Sequence, residues 1–301
     1  MSQEIIEKIQ ELKKQRNAVI LVHNYQRQEV QEIADFSGDS LELSRKAAGT
    51  KADVIVFCGV HFMAETASIL SPDKKVLLPD LQSGCPMADM INRQQLVQFK
   101  KDNPGATVVT YINSTAEVKA ETDICCTSSN AVKVVKSIDN DKIIFCPDRN
   151  LGSYVQQVLS KKLILWQGFC PTHMRMLPEY IIEKKQKYPG ALVLVHPECM
   201  PETVALADEV LSTTGIMNYV AQSSHNEFII GTENEITFNL RKKYPGKIFH
   251  TVTDLAVCPN MKKNTLEKVL WTLQEMQNEI KVSEEIRILA YKPIKRMIDI
   301  Y

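Results

Sequence analysis

Three Cys-Pro pairs constrain this chain most. Cys85-Pro86, Cys170-Pro171 and Cys258-Pro259 recur 85 and 88 residues apart, and Cys85 itself stands at position 85. Each follows an apolar, strand-like run, at 75–79, 162–166 and 247–251. Such spacing predicts three equal units, each closed by a Cys-Pro. Other positions keep the same step. Pro104-Gly105-Ala106 recurs as Pro189-Gly190-Ala191, with a looser Arg16-Asn17-Ala18 in the first unit. Asp35, Asp123 and Asp208 are each followed five positions later by a hydroxyl: Ser40, Ser128 and Thr213, the last with Thr214 beside it. Further strand patterns fall at 54–58, 142–146 and 227–231.

Helical patterns at 63–70, 152–159 and 235–243 separate these short apolar runs. Steady alternation of strand and helix means parallel sheets covered by helices on both faces. The expected fold is α/β: three homologous αβα sandwich domains with parallel four-stranded sheets, in a pseudo-threefold arrangement around a central site. The expected boundaries are 1–86, 87–171 and 172–260, with a C-terminal helical extension over 261–301. Residues 2–16 form an amphipathic helix with Ile5, Ile6, Ile9 and Leu12 on one side. In the extension, Asn264 with Glu267 resembles a capping box, Ser283 can cap a second helix, and Pro293 is expected to kink or end it. The extension is expected to pack on the first unit.

In open α/β sheets ligands bind beyond the carboxyl ends of the strands. Three strand-end thiolates meeting there suit a metal with one coordination position open. A single such cysteine is more often a small buried hydrophobe. Three, each before a proline and at one point of a repeat, favour the site. The first strands end in His23-Asn24-Tyr25, Tyr111-Ile112-Asn113 and His196-Pro197-Glu198, which supplies acid–base groups at corresponding positions. A hydroxyl ahead of a helix usually caps it. Ser40, Ser128 and Thr213 or Thr214, set around one centre, favour an anionic ligand. Cys58, Cys125, Cys126, Cys146 and Cys199 do not recur in all three units and read as core or near-site thiols. Asp148-Arg149-Asn150 is either a site loop or a strand-to-helix turn.

Composition narrows the class. Lys+Arg and Asp+Glu both number 36, so no nucleic acid or anionic membrane is called for as a partner. No apolar run is long enough for a bilayer span. The amino end lacks the apolar stretch of a secretory signal, and eight cysteines without a C-x-x-C point to metal or catalysis in a reducing, cytoplasmic setting.

From residue 18 to about 270 the motifs resemble the quinolinate synthase family, iron–sulfur enzymes of NAD biosynthesis. They are His23-Asn-Tyr25-Gln26, Gly38-Asp-Ser40-Leu41, Cys85-Pro-Met-Ala88, Tyr111-Ile-Asn113-Ser-Thr115, Thr127-Ser128-Ser-Asn130-Ala131, Pro147-Asp-Arg-Asn-Leu151, His196-Pro-Glu198-Cys199 and Met261-Lys-Lys-Asn-Thr265. The resemblance implies a [4Fe–4S] cluster on Cys85, Cys170 and Cys258 with one iron open as a Lewis acid. It implies a substrate site lined by His23, Ser40, Tyr111, Asn113, Ser128, His196, Glu198 and Thr214, with Tyr25, His173 and Met261 nearby. The implied reaction condenses iminoaspartate with dihydroxyacetone phosphate to quinolinate, with loss of phosphate and water. It leaves room for a transient hand-over from the iminoaspartate-producing enzyme. Within that reaction Glu198 is expected as base and Tyr25 as proton donor, with His23 or His196 beside it; Tyr111 joins the catalytic set. Gly84, Phe169 and Thr213 depart from the family's usual Thr, His and Ser. Two rival readings share the three-cysteine site: another cluster-dependent hydro-lyase, and a cluster sensor without turnover.

Overall fold

The computed structural model describes residues 2–300. It contains twelve strands in three separate parallel sheets. The first holds β1 (Ala18–His23), β2 (Phe36–Gly38), β3 (Val54–Cys58) and β4 (Lys75–Leu77). The second holds β5 (Thr107–Tyr111), β6 (Ile124–Cys126), β7 (Ile143–Cys146) and β8 (Ile164–Leu165). The third holds β9 (Leu192–Val195), β10 (Glu209–Val210), β11 (Glu227–Gly231) and β12 (Ile248–Thr251). Each sheet has its second strand outermost, then the first, third and fourth. The chain reverses its direction of travel across the sheet between first and third strands. That is a topological switch point, where the strand ends leave a crevice.

Successive side chains on each central strand enter different cores, as a sheet buried on both faces requires. Ile20 and Val22 pack beneath the amino-terminal helix Ser2–Gln15, while Val19 and Leu21 face the large central core. Val108 and Ile144 divide from Val109 and Phe145 in the same way, and Ile229 from Phe228 and Ile230. The repeated aspartates have one structural job in all three units. The Oδ2 atoms of Asp35, Asp123 and Asp208 accept from the N–H groups of Ile20, Val108 and Val193 at 2.8, 2.7 and 2.7 Å. Each joins the start of the second strand to the middle of the first, so the sheets keep one register.

The C-terminal extension differs from expectation in three respects. Thr265, rather than Asn264, caps the helix Leu266–Glu275, accepting from the N–H of Lys268. The Asn264 side chain instead donates to the Gly59 carbonyl at 2.8 Å inside the first unit. That helix packs on the first unit, against Ser2–Gln15 and β3. The second helix, Glu284–Asp299, runs through Pro293, and its Ser283 makes no side-chain cap. It crosses from the helix His61–Leu70 to the helix Ala116–Ala120 and β6, so it straps the first sheet's layer to the second's. Ala290, Pro293, Ile294 and Met297 are buried along this seam. Burying four apolar residues outweighs the single backbone hydrogen bond that a proline removes.

Candidate active site

The carboxyl ends of the three sheets open into one shared cavity. Cys85, Cys170 and Cys258 all line it and are half-buried, whereas the other five cysteines are buried. Each Cys-Pro leads into a short 3-10 turn: Ala88–Met90, His173–Arg175 and Met261–Lys263. The fixed proline φ bends the chain so that the following N–H groups face back to the sulfur. Met87 and Ala88 donate to Cys85, His173 to Cys170, and Asn260 and Met261 to Cys258. Burial pushes the free Cys85 thiol up to about 12, and those of Cys170 and Cys258 upward as well. Such thiols ionise only beside a strong positive charge. Three thiols with amide donors already in place fit an iron–sulfur cluster held by three protein ligands.

At their carboxyl ends the first strands deliver histidine in the first and third units and tyrosine in the second. His23 and His196 occupy equivalent positions and are held alike. The N–H of Tyr25 donates to His23 Nδ1 at 3.2 Å, and that of Glu198 to His196 Nδ1 at 3.3 Å. Nδ1 therefore accepts, and Nε2 carries the proton. Burial lowers His23 to about 4 and His196 to about 3, so both are neutral donors near pH 7. His196 Nε2 lies 3.1 Å from Ser128 Oγ. The second unit has Tyr111 at this position, and its hydroxyl donates to Glu198 Oε1 at 2.5 Å. Burial alone would raise the Glu198 carboxyl. The His173 and His196 imidazoles and hydrogen bonds from His173 and Tyr111 outweigh it and hold the group near 2.

His173 links these groups to the thiols. Its Nδ1 lies 2.7 Å from Glu198 Oε2 and 3.1 Å from Cys170 Sγ. Nδ1 carries a proton, since it faces a carboxylate. The ligand atoms of Cys170, His173 and Glu198 all lie within 4.8 Å of one another. On the other side of the ring, Nε2 is 2.9 Å from Thr232 Oγ1, which is 2.5 Å from the Tyr25 hydroxyl. Tyr25, Thr232, His173, Glu198 and Tyr111 thus form one continuous buried hydrogen-bonded chain. Burial, Glu198 and Glu233 push the Tyr25 phenol well above its ordinary value, so it stays protonated.

The repeated hydroxyls are not caps. Asp39 caps the helix Ser40–Gly49 through a full capping box, and Ser212 caps Thr213–Gln222. In the second unit the helix Ala131–Lys136 starts three residues beyond Ser128. Ser129 Oγ ties the caps together, 2.5 Å from Asp39 Oδ2 and 2.9 Å from Ser212 Oγ. With Asp39 and Ser212 capping in the first and third units and Ser128 clear of its helix in the second, Ser40, Ser128 and Thr213 remain on the cavity wall. Thr213 Oγ1 and Asn113 Oδ1 are buried there without a partner. Thr214 lies outside: it donates to Glu42 Oε2 at 2.7 Å and lines a separate outer groove. Met261 lines the cavity and accepts from Gln26 Nε2 at 3.2 Å. Phe169 lies beneath the Arg149 guanidinium, 5.1 Å from ring centroid to carbon, and does not line the cavity.

Sequence reasoning missed Thr232 and Glu233, which follow β11, and the wall residues Phe62 and Met63. The one available signal for Glu233 was its equivalence to Asp148, two residues beyond the third strand of its unit. Glu233 is fully buried and paired with Lys262 at 2.8 Å. Burial raises its carboxyl, against the pull of Lys262.

Fold and site together define an α/β enzyme whose reaction chamber is assembled from three like sheets, with thiols and acid–base groups side by side. A family model described as quinolinate synthetase A protein matches residues 7–299. A quinolinate synthase from Dehalococcoides mccartyi (strain CBDB1) is 56% identical over 98% of this chain and 97% of that protein. One from Geobacter sp. (strain M21) is 56% identical over 100% of this chain and 99% of that protein. One from Thermodesulfovibrio yellowstonii is 54% identical, covering 97% of both. The chain belongs to the quinolinate synthase family, enzymes of NAD biosynthesis.

Proposed function

We propose that this chain condenses iminoaspartate with dihydroxyacetone phosphate to form quinolinate, releasing phosphate and water, with a [4Fe–4S] cluster on Cys85, Cys170 and Cys258. The observation that carries this reading is the placement of three half-buried Cys-Pro thiols in one cavity with His23, Tyr25, Tyr111, His196 and Glu198. When bound, such a cluster supplies one iron without a protein ligand, a Lewis acid toward a substrate oxygen.

The protein's own groups divide the remaining work. Substrate carboxylates and phosphate take the hydroxyls of Ser40, Thr213 and Ser128, the last oriented by His196 Nε2–H, with Asn113 and the neutral Nε2–H of His23 as further donors. Tyr25 holds a phenolic proton at neutral pH and delivers it to a departing oxygen. Glu198 is ionised and takes up the proton released beside a carbonyl carbon. Its low affinity for protons means that it holds one only briefly, and Tyr111 and His173 are already bonded to it to pass the proton on. The Tyr25–Thr232–His173–Glu198 chain connects donor and acceptor without bulk water. Of the described residues no helix is long and apolar enough to cross a membrane, and we place the reaction in the cytoplasm.

Anaerobic turnover with both substrates, followed by quinolinate formation, tests the reading. An iron-loaded protein that forms no quinolinate would refute it and favour the sensor or another hydro-lyase.

A further inference from the structure

The three ligand loops are anchored differently. In each unit the residue one beyond the third strand's acidic or apolar position binds the loop by main chain: His61 N–H to Ser83 O at 2.8 Å, Arg149 to Gly168 at 2.9 Å, and Asn234 to Ala256 at 2.9 Å. The side chain just before that residue is Val60, Asp148 or Glu233. Glu233 Oε1 accepts the backbone N–H of Cys258 itself at 3.1 Å and pairs with Lys262, four residues further along the same loop, at 2.8 Å. One buried carboxylate therefore grips the loop at the cysteine and again four residues beyond it. Lys262 also donates to the Tyr25 carbonyl at 2.5 Å, which ties the loop to the first unit.

Asp148 is the counterpart in the second unit. Its Oδ1 caps the helix Arg149–Leu159, while Oδ2 is buried with no close partner. The Cys170 loop is held here by the main-chain bond from Arg149 to Gly168. Gly168 lets the loop come this close, because a Cβ there would sit 2.5 Å from the Pro147 carbonyl oxygen. In the first unit Val60 offers no acceptor, and the Cys85 N–H finds none among the described residues.

We infer that Glu233 is a positioning residue that fixes the Cys258 loop for the cluster, and that the Cys170 and Cys85 loops have no such side-chain anchor. This rests on the cluster reading given above. Partners one layer behind a metal's ligands commonly change its retention by about 10–100-fold. In anaerobically purified, iron-loaded protein treated with excess EDTA, Glu233→Ala should lose visible absorbance about 10–100-fold faster than the parent. Glu233→Gln keeps an acceptor for the Cys258 N–H and should fall between the two; Val60→Ala should match the parent. A core control, Ile230→Ala, should lower the melting temperature without hastening iron release. In the loaded parent, the Cys258 amide should exchange with deuterium more slowly than the Cys85 amide, a measurement that needs no variant. Release at the parental rate in Glu233→Ala, equal release in the core control, or faster exchange at Cys258 than at Cys85 would each overturn the anchor. A parent that binds no iron would instead overturn the cluster assignment itself.

Discussion

The ends of the fourth strands and the ends of the first strands teach opposite lessons about a triplicated fold. After the fourth strands all three units repeat Cys-Pro and the same amide-to-sulfur turn. After the first strands the sets diverge, His and Tyr, then Tyr and Asn, then His and Glu, with only the histidine shared by the first and third units. A group bound symmetrically needs the same ligand three times. A substrate with unlike ends, attacked at one atom and protonated at another, needs three different walls. Behind both regions the aspartates at 35, 123 and 208 stay constant because sheet register is a requirement common to all units.

Replacing a repeated thiol should have the largest effect. Cys170→Ser is expected to abolish the visible absorbance and iron content of anaerobically reconstituted protein, as are the same changes at Cys85 and Cys258. Cys58→Ser and Cys146→Ala should keep both, since those thiols lie in the core. A full, active cluster in the Cys170 variant would remove the distinction between repeated and unrepeated cysteines.

Changes at the diversified ends should spare the cluster and reduce turnover. Tyr25→Phe and Glu198→Gln are each expected to lose about 10²–10⁴-fold in kcat. Rapid anaerobic mixing with mass detection should show the two variants stalling at different species. Identical accumulated species would mean that the two residues do not divide the proton transfers. Thr232→Val, which keeps shape and removes the bridging hydroxyl, should lower kcat more than it raises KM, and Thr232→Ser should restore it.

The hydroxyls sharpen the comparison further. Ser128→Ala should weaken binding of a dicarboxylate analogue by about 1.5–3 kcal/mol, the worth of a hydrogen bond to a charged group. Thr214→Ala should leave that binding unchanged in calorimetry, because its side chain faces the outer groove.

The smallest effect concerns pH and stability. His23 is buried neutral, with its pKa lowered from 6.5 to about 4. Between those values the unfolded chain binds more protons than the folded one, so stability is lost as pH falls from 6.5 toward 4 and is unaffected by this residue above 6.5. The melting temperature of His23→Asn should therefore fall less steeply than the parent's across that window. Parallel curves would show that His23 is not held neutral.

The sequence alone determined the three-unit plan, because register, strand burial and the Cys-Pro turns recur at a fixed step along the chain. It also determined which cysteines stand apart and which polar groups end the first strands, since a strand's last residues face the crevice wherever the sheet lies. Only the tertiary structure decided what depends on neighbours distant in the chain. It put Thr213 on the wall and Thr214 outside, a difference of one helical step of about 100° that spacing to the nearest residue cannot resolve. It made Asp39 and Ser212 the caps, joined across units by Ser129, and left Ser40 and Thr213 on the cavity wall. It carried a helix through Pro293, where burial along a seam between two units outweighs a local rule. Glu233 and Thr232 acquired their places in the same way: their partners, Cys258 and Lys262, Tyr25 and His173, come from other parts of the chain, and only folding brings them within hydrogen-bond reach.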